Sequence, residues 1–362
     1  MGIFIGKKIQ AFGLDISDSS VKVAQLSTHN NHLQSAVFAD VPLLDKVIVN
    51  HMIINEERLA GTIMKAIQTA KSIKTKYVVC SVPEAKSFVR LVNIPKMPLS
   101  EIEGAIPFEL EQDIPIPVDQ VYLDWQILGE TSENLQLLVT ASSKDYIDSL
   151  VDTLHSIKLI PVAMEIGAQA TARALIGADQ QSKSVLIVDI GAQQTSFIIV
   201  DQGAPLYTSS LPVAGNAFSD SIARSLNLPF PQADKLKLTT GLLMQTEQGE
   251  SMRHAILPIL DSIIDEIKNI IKFFEDHSQA HHTIQTILLC GGSSRVPGVM
   301  EYIGTRINLG SGKTQLSVNV GDPWSNIGAP AAKQPMPLTR DKVLGYSTVI
   351  GLSLRGVAYE AE

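Results

Sequence analysis

Short apolar runs broken by polar turns dominate the start of the chain. Residues 9–26, IQAFGLDI followed by VKVAQLS, predict a hairpin around a Ser/Asp turn. The period then changes: Leu59, Ile63, Ala66, Ile67 and Ala70 share one face of a predicted helix from Glu56 to Ser72. YVVCSVP is a short β-rich run closed by Pro83. From about 85 to 165 the texture shifts. SFVRLVNIPKMP is extended and proline-punctuated, and Ser100 and Glu103 form an S-x-x-E capping box predicted to open a helix through Leu110, kinked at Pro107. DIPIPVDQVYLDWQIL and LQLLVTAS predict two strands, followed by a helix from Lys144 to Ile157.

The second half opens on a strand-rich meander, SVLIVDIGAQQTSFIIVDQGAPLYTSSLPV. Its longest helical pattern is 255–275, where Ile256, Leu260, Ile263, Ile267, Ile270 and Phe274 form one stripe and Pro258 is expected in the first turn, where its missing N–H costs least. TIQTILLCGG predicts a buried strand ending in glycines. Strands and helices alternating in this way define an α/β architecture. A repeat lies inside it: FGLDISDSSVKVAQL aligns with LIVDIGAQQTSFIIV, superposing Asp15 on Asp189 about half the chain away. Each copy reads apolar strand, Asp-Ile, small polar turn, second strand, which predicts two related lobes beginning with the same hairpin.

The chain has 362 residues, 45% of them hydrophobic, enough for two or three cores at about 150 residues per domain. The net charge of −8 excludes a nucleic-acid backbone binder, and two cysteines exclude a disulfide framework. MGIFIGKK has its charge after the apolar stretch and Gly6 where myristoylation needs Ser or Thr, so neither a secretory signal nor that lipid is expected. No apolar run approaches about 18 residues, so a cytoplasmic, soluble chain is expected, with Ile3, Phe4, Ile5, Lys7 and Lys8 able to touch a bilayer weakly.

The candidate chemistry lies in the turns. A Ser- and Gly-rich turn presents several backbone N–H groups to one concavity, which suits a phosphate. Gly191 permits close backbone approach, Ser19, Ser20 and Thr195 add hydroxyls, and Asp15 and Asp189 at strand ends are placed to hold a hydrated Mg²⁺. Gly291 and Gly292, in LLCGGSSRVPGV, form a tight passage for a flat ring or ribose. GSGKT at 310–314 is rejected as a P-loop because the required earlier glycine is Ile307 and a strand pattern follows. His277, His281 and His282 are read as a solvated helix end rather than a metal site, and Cys80 and Cys290 as buried small hydrophobes.

DISDSS, VDIGAQQTSF and LLCGGSSRVPG resemble the two phosphate loops and the adenosine motif of the actin-like ATPase superfamily, over essentially the whole chain. IPFELEQDIPIPVDQVYLDWQIL resembles the inserted subdomain of the PilM family of type IV pilus assembly proteins, and GYSTVIGLSLRG after GDPWSNI is similar to the closing helix of PilM and FtsA. The resemblance implies a bilobed, duplicated ribonuclease H-like fold. Subdomain 1A would comprise 1–84 and 166–182 with the helix 340–362 returning to it, 1C 85–165, 2A 183–225 and 284–339, and 2B 226–283. It implies ATP and Mg²⁺ between the lobes; hydrolysis is expected to be slow or absent because Ser17 and Ala214 add a Cβ where the family pattern has glycine. Asp15, Ser19, Ser20 and Lys22 would form the first phosphate loop and Gly191, Gln193, Gln194 and Thr195 the second; Asp189 would join Asp15 in holding Mg²⁺ through water. Gly215 lies in the counterpart of a Gly-Gly-x-x-x-Thr stretch that reads Ala214-Gly215-Asn216-Ala217-Phe218-Ser219. Asp234 and Lys237 would lie near ribose and base, and Gly291, Gly292 and Ser293 would close over adenosine. The first loop carries Ser17 where glycine is usual. The implied partners are the N-terminal cytoplasmic peptide of PilN, in a groove between 1A and 1C with Phe88, Leu91, Ile94 and Leu123 as contacts, and through it the inner-membrane assembly complex; self-association is also open. The alternatives are an FtsA-like filament protein, disfavoured by the acidic ending GVAYEAE, and a sugar-kinase-type enzyme, for which no further carboxylate base stands out.

Overall fold

The computed structural model describes residues 10–29, 32–44, 46–110, 116–243, 246–277, 282–309, 315–327 and 338–358. The segments 1–9 and 310–314, and His281, on which expectations were placed above, lie outside them.

The first half runs β1 (Phe12–Ile16), β2 (Ser20–His29), β3 (His32–Pro42), a small hairpin of β4 (Ile48–Val49) and β5 (Met52–Ile53), α1 (Glu56–Ala70) and β6 (Tyr77–Val82). The Asn55 side chain caps α1 by accepting the Arg58 N–H at 2.9 Å. Next come β7 (Ser87–Pro95), α2 (Leu99–Leu110), β8 (Val121–Glu130), β9 (Asn134–Ser143), α3 (Lys144–Ser156), β10 (Ile160–Ile166) and α4 (Gly167–Leu175). The second half runs β11 (Val185–Ile190), β12 (Thr195–Asp201), β13 (Ala204–Leu211), α5 (Gly215–Leu226), α6 (Phe230–Thr240), α7 (Glu247–His277), β14 (Thr286–Cys290), α8 (Val299–Asn308) and β15 (Ser317–Val320). It closes with α9 (Arg340–Val343) and α10 (Ser347–Ala358).

Two five-stranded sheets carry the duplication. One has the order β3-β2-β1-β6-β10 and the other β13-β12-β11-β14-β15. In both, the first three strands are antiparallel and the last two join in parallel. Asp15 pairs with Lys22 across the first hairpin and Asp189 with Ser196 across the second, so the repeat read from sequence is a repeat of topology.

A third, antiparallel sheet of order β7-β9-β8 buries Ile94 and Leu137 against Ile102, Ile106 and Leu110 of α2. The insertion expected to run to 165 ends earlier: α3 sends Tyr146, Leu150 and Leu154 into the core of β1 and α1, and β10 pairs with β6. Three further expectations change. The helix at 100 begins at Leu99, with the Glu101 N–H bonded to the Pro98 carbonyl, so Ser100 lies within the helix and does not open it. α7 starts at Glu247, which puts Pro258 inside it, because the polar stretch ahead of the apolar stripe is also helical. β3 was missed because LQSAVFADVP lacks clean alternation.

Between the two large sheets lies α4. Ala168, Ala172 and Leu175 pack with Val185, Ile187 and Ile198 of the second sheet, while Ala170 packs with Ala11 and Val79 on the side of the first and with Leu352 of α10. The helices α4 and α10 cross so closely that a Cβ at Gly351 would run into the Ala170 carbonyl oxygen.

Candidate functional site

β1 and β11 each carry an aspartate one residue before their end and are followed by short polar turns, and both turns open onto one cavity of about 350 Å³. Asp15, Ser19, Ser20 and Lys22 line it from the first lobe; Asp189, Gly191, Gln193 and Gln194 face them from the second, with Gly291 and Gly292 between. These ten of the anticipated residues are brought together.

The electrostatics are unbalanced. Asp15 accepts from the Ser81 hydroxyl at 2.9 Å. Asp189 has its pKa pushed up to about 6, chiefly by burial and then by the negative charge of Asp15, against which Lys22 acts. Glu84, just beyond β6, was not anticipated. Burial, then the charges of Asp189 and Asp15, lift it to about 7, although its own and the Ala168 backbone N–H groups hold its ionised form. Gln194 also donates to its Oε2 at 3.4 Å. Converging carboxylates that resist ionisation are the donor set a cation relieves. Among the described residues no group of three or more His, Cys, Asp or Glu is placed to hold a metal ion. Arg295, also missed, lines the cavity with its Nε buried and without a hydrogen-bond partner among the described residues, a donor that a ligand oxygen or ring nitrogen would satisfy. Residues 344–348, leading into α10, complete the wall, with the Gly291 N–H bonded to the Leu344 carbonyl at 3.0 Å. Gly291 has φ +85°, and a Cβ there would strike Asp189.

Ser17 acts within its own turn. Its Oγ accepts the Ser20 N–H at 3.1 Å and the Ser19 N–H at 3.4 Å, so its hydroxyl occupies donors that a phosphate would otherwise take. His51 sits at the mouth, 3.2 Å from Asp18, projected by the two-residue β4–β5 turn in which Asn50 and His51 both have positive φ.

The other five anticipated residues build the wall behind the second loop and do not line the cavity. Thr195 donates to the Val213 carbonyl at 2.7 Å and Ser293 to that of Gly191 at 2.8 Å. The Gly215 N–H also bonds to Gly191, and a Cβ at Gly215 would meet Ser293. Lys237, only 4% exposed, gives its ammonium to the Gly215 carbonyl, Ser219 and Asp234 at 2.9, 2.8 and 2.7 Å. Burial would raise Asp234, but hydrogen bonds from Lys237 and Ser219 and the lysine charge hold it below the usual carboxylate range. Asp234 and Lys237 thus brace the loop.

A larger groove of about 840 Å³ separates the edge strand β8 and its neighbour β9 from β10, α4 and α10. Tyr122, Leu123 and Trp125 face Met164, Arg173 and Arg355. Of the four contacts anticipated there only Leu123 lines it; Ile94 is buried and Phe88 packs in the α2 core, and Leu91 also lies outside the lining. On the far wall, buried Glu165 accepts from Arg173 at 2.8 Å and from Arg355 at 2.6 Å.

A duplicated sheet pair with one cavity between its acidic turns defines the actin-like fold. The solved structure of a PilM–PilN type IV pilus biogenesis complex matches with a TM-score of 0.82 at 26% identity, over 97% of this chain and 99% of that one. MreB5 of Spiroplasma citri bound to AMPPNP matches with a TM-score of 0.55 at 13% identity, over 96% of each chain, a likeness of fold alone. Type IV pilus assembly protein PilM is the family whose pattern matches residues 13–357, and the chain belongs to that family. Among curated relatives, the cell division protein FtsA of Buchnera aphidicola is 27% identical over 215 residues, 52% of this chain and 48% of its own length. FtsA of Pseudomonas aeruginosa is 24% identical over 210 residues, 53% and 47% respectively. The chain thus spans about half the length of these FtsA relatives. No helix among the described residues is long and apolar enough to cross a membrane.

Proposed function

We propose that this actin-like member of the type IV pilus assembly machinery binds Mg-ATP between its lobes and couples nucleotide occupancy to docking of the cytoplasmic N-terminal peptide of PilN in the large groove. The supporting observation is that Asp15 and Asp189, from opposite halves of the chain, line the same cavity. Its volume of about 350 Å³ falls in the range of small-molecule sites. When bound, Mg²⁺ would supply the positive charge that the acidic wall calls for. Asp15 and Asp189 would hold it through water, Lys22 and the turn hydroxyls would face phosphate oxygens, and Arg295 would give its free N–H. A ligand touching both lobes favours the arrangement in which both touch it, and that difference in affinity is the source of coupling. The groove, bounded by the edge strand β8, offers backbone groups and apolar side chains to an extended peptide. A peptide carried by an inner-membrane protein would hold this chain at the cytoplasmic face of that membrane.

The test is thermal stabilisation of the full chain by Mg-ATP, with and without a PilN N-terminal peptide. A ligand at 100-fold its Kd stabilises by about 2.7 kcal/mol. Asp189→Ala is expected to abolish the Mg-dependent part and to weaken the effect of ATP on peptide affinity. Unchanged ATP and peptide binding in that variant would refute the coupling.

A further inference from the structure

Two helices belong to both cavities. The first residue of α4, Gly167, lines the interlobe cavity, while Gln169, Ala172, Arg173 and Ile176 line the groove. Ser347 and Thr348 at the start of α10 line the cavity, and Leu354 and Arg355 near its end line the groove. The pair is tied along its length. Thr171 and Thr348 share a hydroxyl hydrogen bond of 2.9 Å, Arg173 donates to the Gly351 carbonyl at 3.1 Å, and Glu165 holds Arg173 and Arg355 together. With the Ala170–Gly351 contact leaving no room for a methyl group, neither helix can shift alone.

Glu84 stands where this pair meets the cavity. Its carboxylate lies against the first turn of α4: a Cβ at Gly167 would lie 3.1 Å from its Oε1, and the Ala168 backbone N–H favours its ionised form. From the other side Gln194 of the second phosphate loop reaches Oε2 at 3.4 Å. Its side chain therefore links the loop of one lobe, the start of α4 and the charge of Asp15 and Asp189. We infer that Glu84 is a positioning residue that passes nucleotide occupancy of the interlobe cavity to the groove by way of the α4–α10 pair. The inference rests on the nucleotide reading above and adds the route. A ligand between the two loops that displaces Gln194 removes one hold on Glu84 and leaves its carboxylate against Gly167. That change bears on α4 at its end, and the packed pair moves Gln169, Arg173 and Arg355 as one body.

The experiment is hydrogen exchange on the full-length protein with saturating Mg-ATP, saturation being set for each variant by its own thermal titration. In the wild type, exchange at 167–176 should slow by about threefold or more, along with the loops at 15–22 and 189–195. Glu84→Ala should keep the loop response and lose more than half of the α4 response, and Glu84→Gln, which retains an acceptor for the Ala168 N–H, should restore part of it. Thr348→Val, which leaves Glu84 intact, should keep the α4 response and reduce that at 349–356. A full α4 response in Glu84→Ala, or wild-type protection confined to the loops, would overturn the route while leaving nucleotide binding standing. Absence of protection anywhere, with no thermal shift, would overturn the nucleotide reading and the route together.

Discussion

Replacing Glu84 by Gln should stabilise the ligand-free protein at alkaline pH and leave it nearly unchanged in acid. In the unfolded chain Glu84 ionises near 4.5; in the fold it keeps its proton to about 7, first because of burial and then because of Asp189 and Asp15. Between those values the native state binds the extra proton. Its contribution to stability is therefore complete below pH 4.5 and is lost as pH rises through 7. At about 1.4 kcal/mol per pH unit the full displacement corresponds to about 3 kcal/mol. Glu84 is half-buried on a cavity wall that water reaches, which reduces the expected figure to about 1–2 kcal/mol. Glutamine carries no proton to lose. Urea unfolding at pH 5 and pH 8 should show Glu84→Gln within about 0.5 kcal/mol of wild type at the lower pH and more stable by that 1–2 kcal/mol at the higher. Other acids titrate alike in both proteins and cancel in the difference. Equal destabilisation at both pH values would refute the reasoning, since it would mean that the charge of Glu84 is well satisfied in the apo fold. Mg-nucleotide should flatten the wild-type pH dependence, because the cation supplies the missing counter-charge.

Ser17→Gly should tighten Mg-ATP binding by about fivefold in a fluorescence or calorimetric titration, because the N–H groups of Ser19 and Ser20 are freed from the serine hydroxyl; weaker binding would show that the hydroxyl contributes to the site. Lys237→Ala should cost about 2–3 kcal/mol in chemical denaturation, since the Gly215 carbonyl, Ser219 and Asp234 all lose the ammonium and the single Ser219 hydroxyl is left to serve both the carbonyl and the carboxylate. It should also weaken nucleotide binding only indirectly, through the loosened Gly191 loop. Gly351→Ala should destabilise by about 3 kcal/mol, lowering Tm by several degrees, because the new methyl group must push α10 from Ala170; a Tm unchanged from wild type would show that the two helices are not locked.

What was legible in the sequence was what repeats locally. The two Asp-terminated hairpins were found because each lies within about fifteen contiguous residues of simple pattern, and they fold into sheets of identical order. The end of the insertion was not legible: α3 has the composition of any amphipathic helix, and only the tertiary fold shows that Tyr146, Leu150 and Leu154 enter the first core. Glu84 could have been found. It follows a buried strand, as Asp15 and Asp189 stand near the end of theirs, so the signal that singled out two aspartates also marks a third carboxylate. Arg295 carried no such mark, because an arginine after a glycine turn is commonplace until its Nε is seen buried without an acceptor.

Three residues behind the second loop share one physical cause. Thr195 is expected to add a hydroxyl to a phosphate from its place in the turn, and the family resemblance alone puts Ser293 over adenosine and Lys237 near ribose and base. A tight loop has orphaned carbonyls of its own, and those of Val213, Gly191 and Gly215 take these donors first. Sequence shows the donor but not which acceptor reaches it. The braced loop is nevertheless part of the function proposed here. Gly191 is pinned through its carbonyl by both Ser293 and Gly215, so the second phosphate turn is preorganised. The first turn is closed by its own Ser17, an internal bond that a ligand can exchange for its own oxygen. One rigid turn and one exchangeable turn, facing each other across a shared cavity, make the first lobe the side that must adjust on binding. That is the lobe whose sheet abuts α4, α10 and the groove.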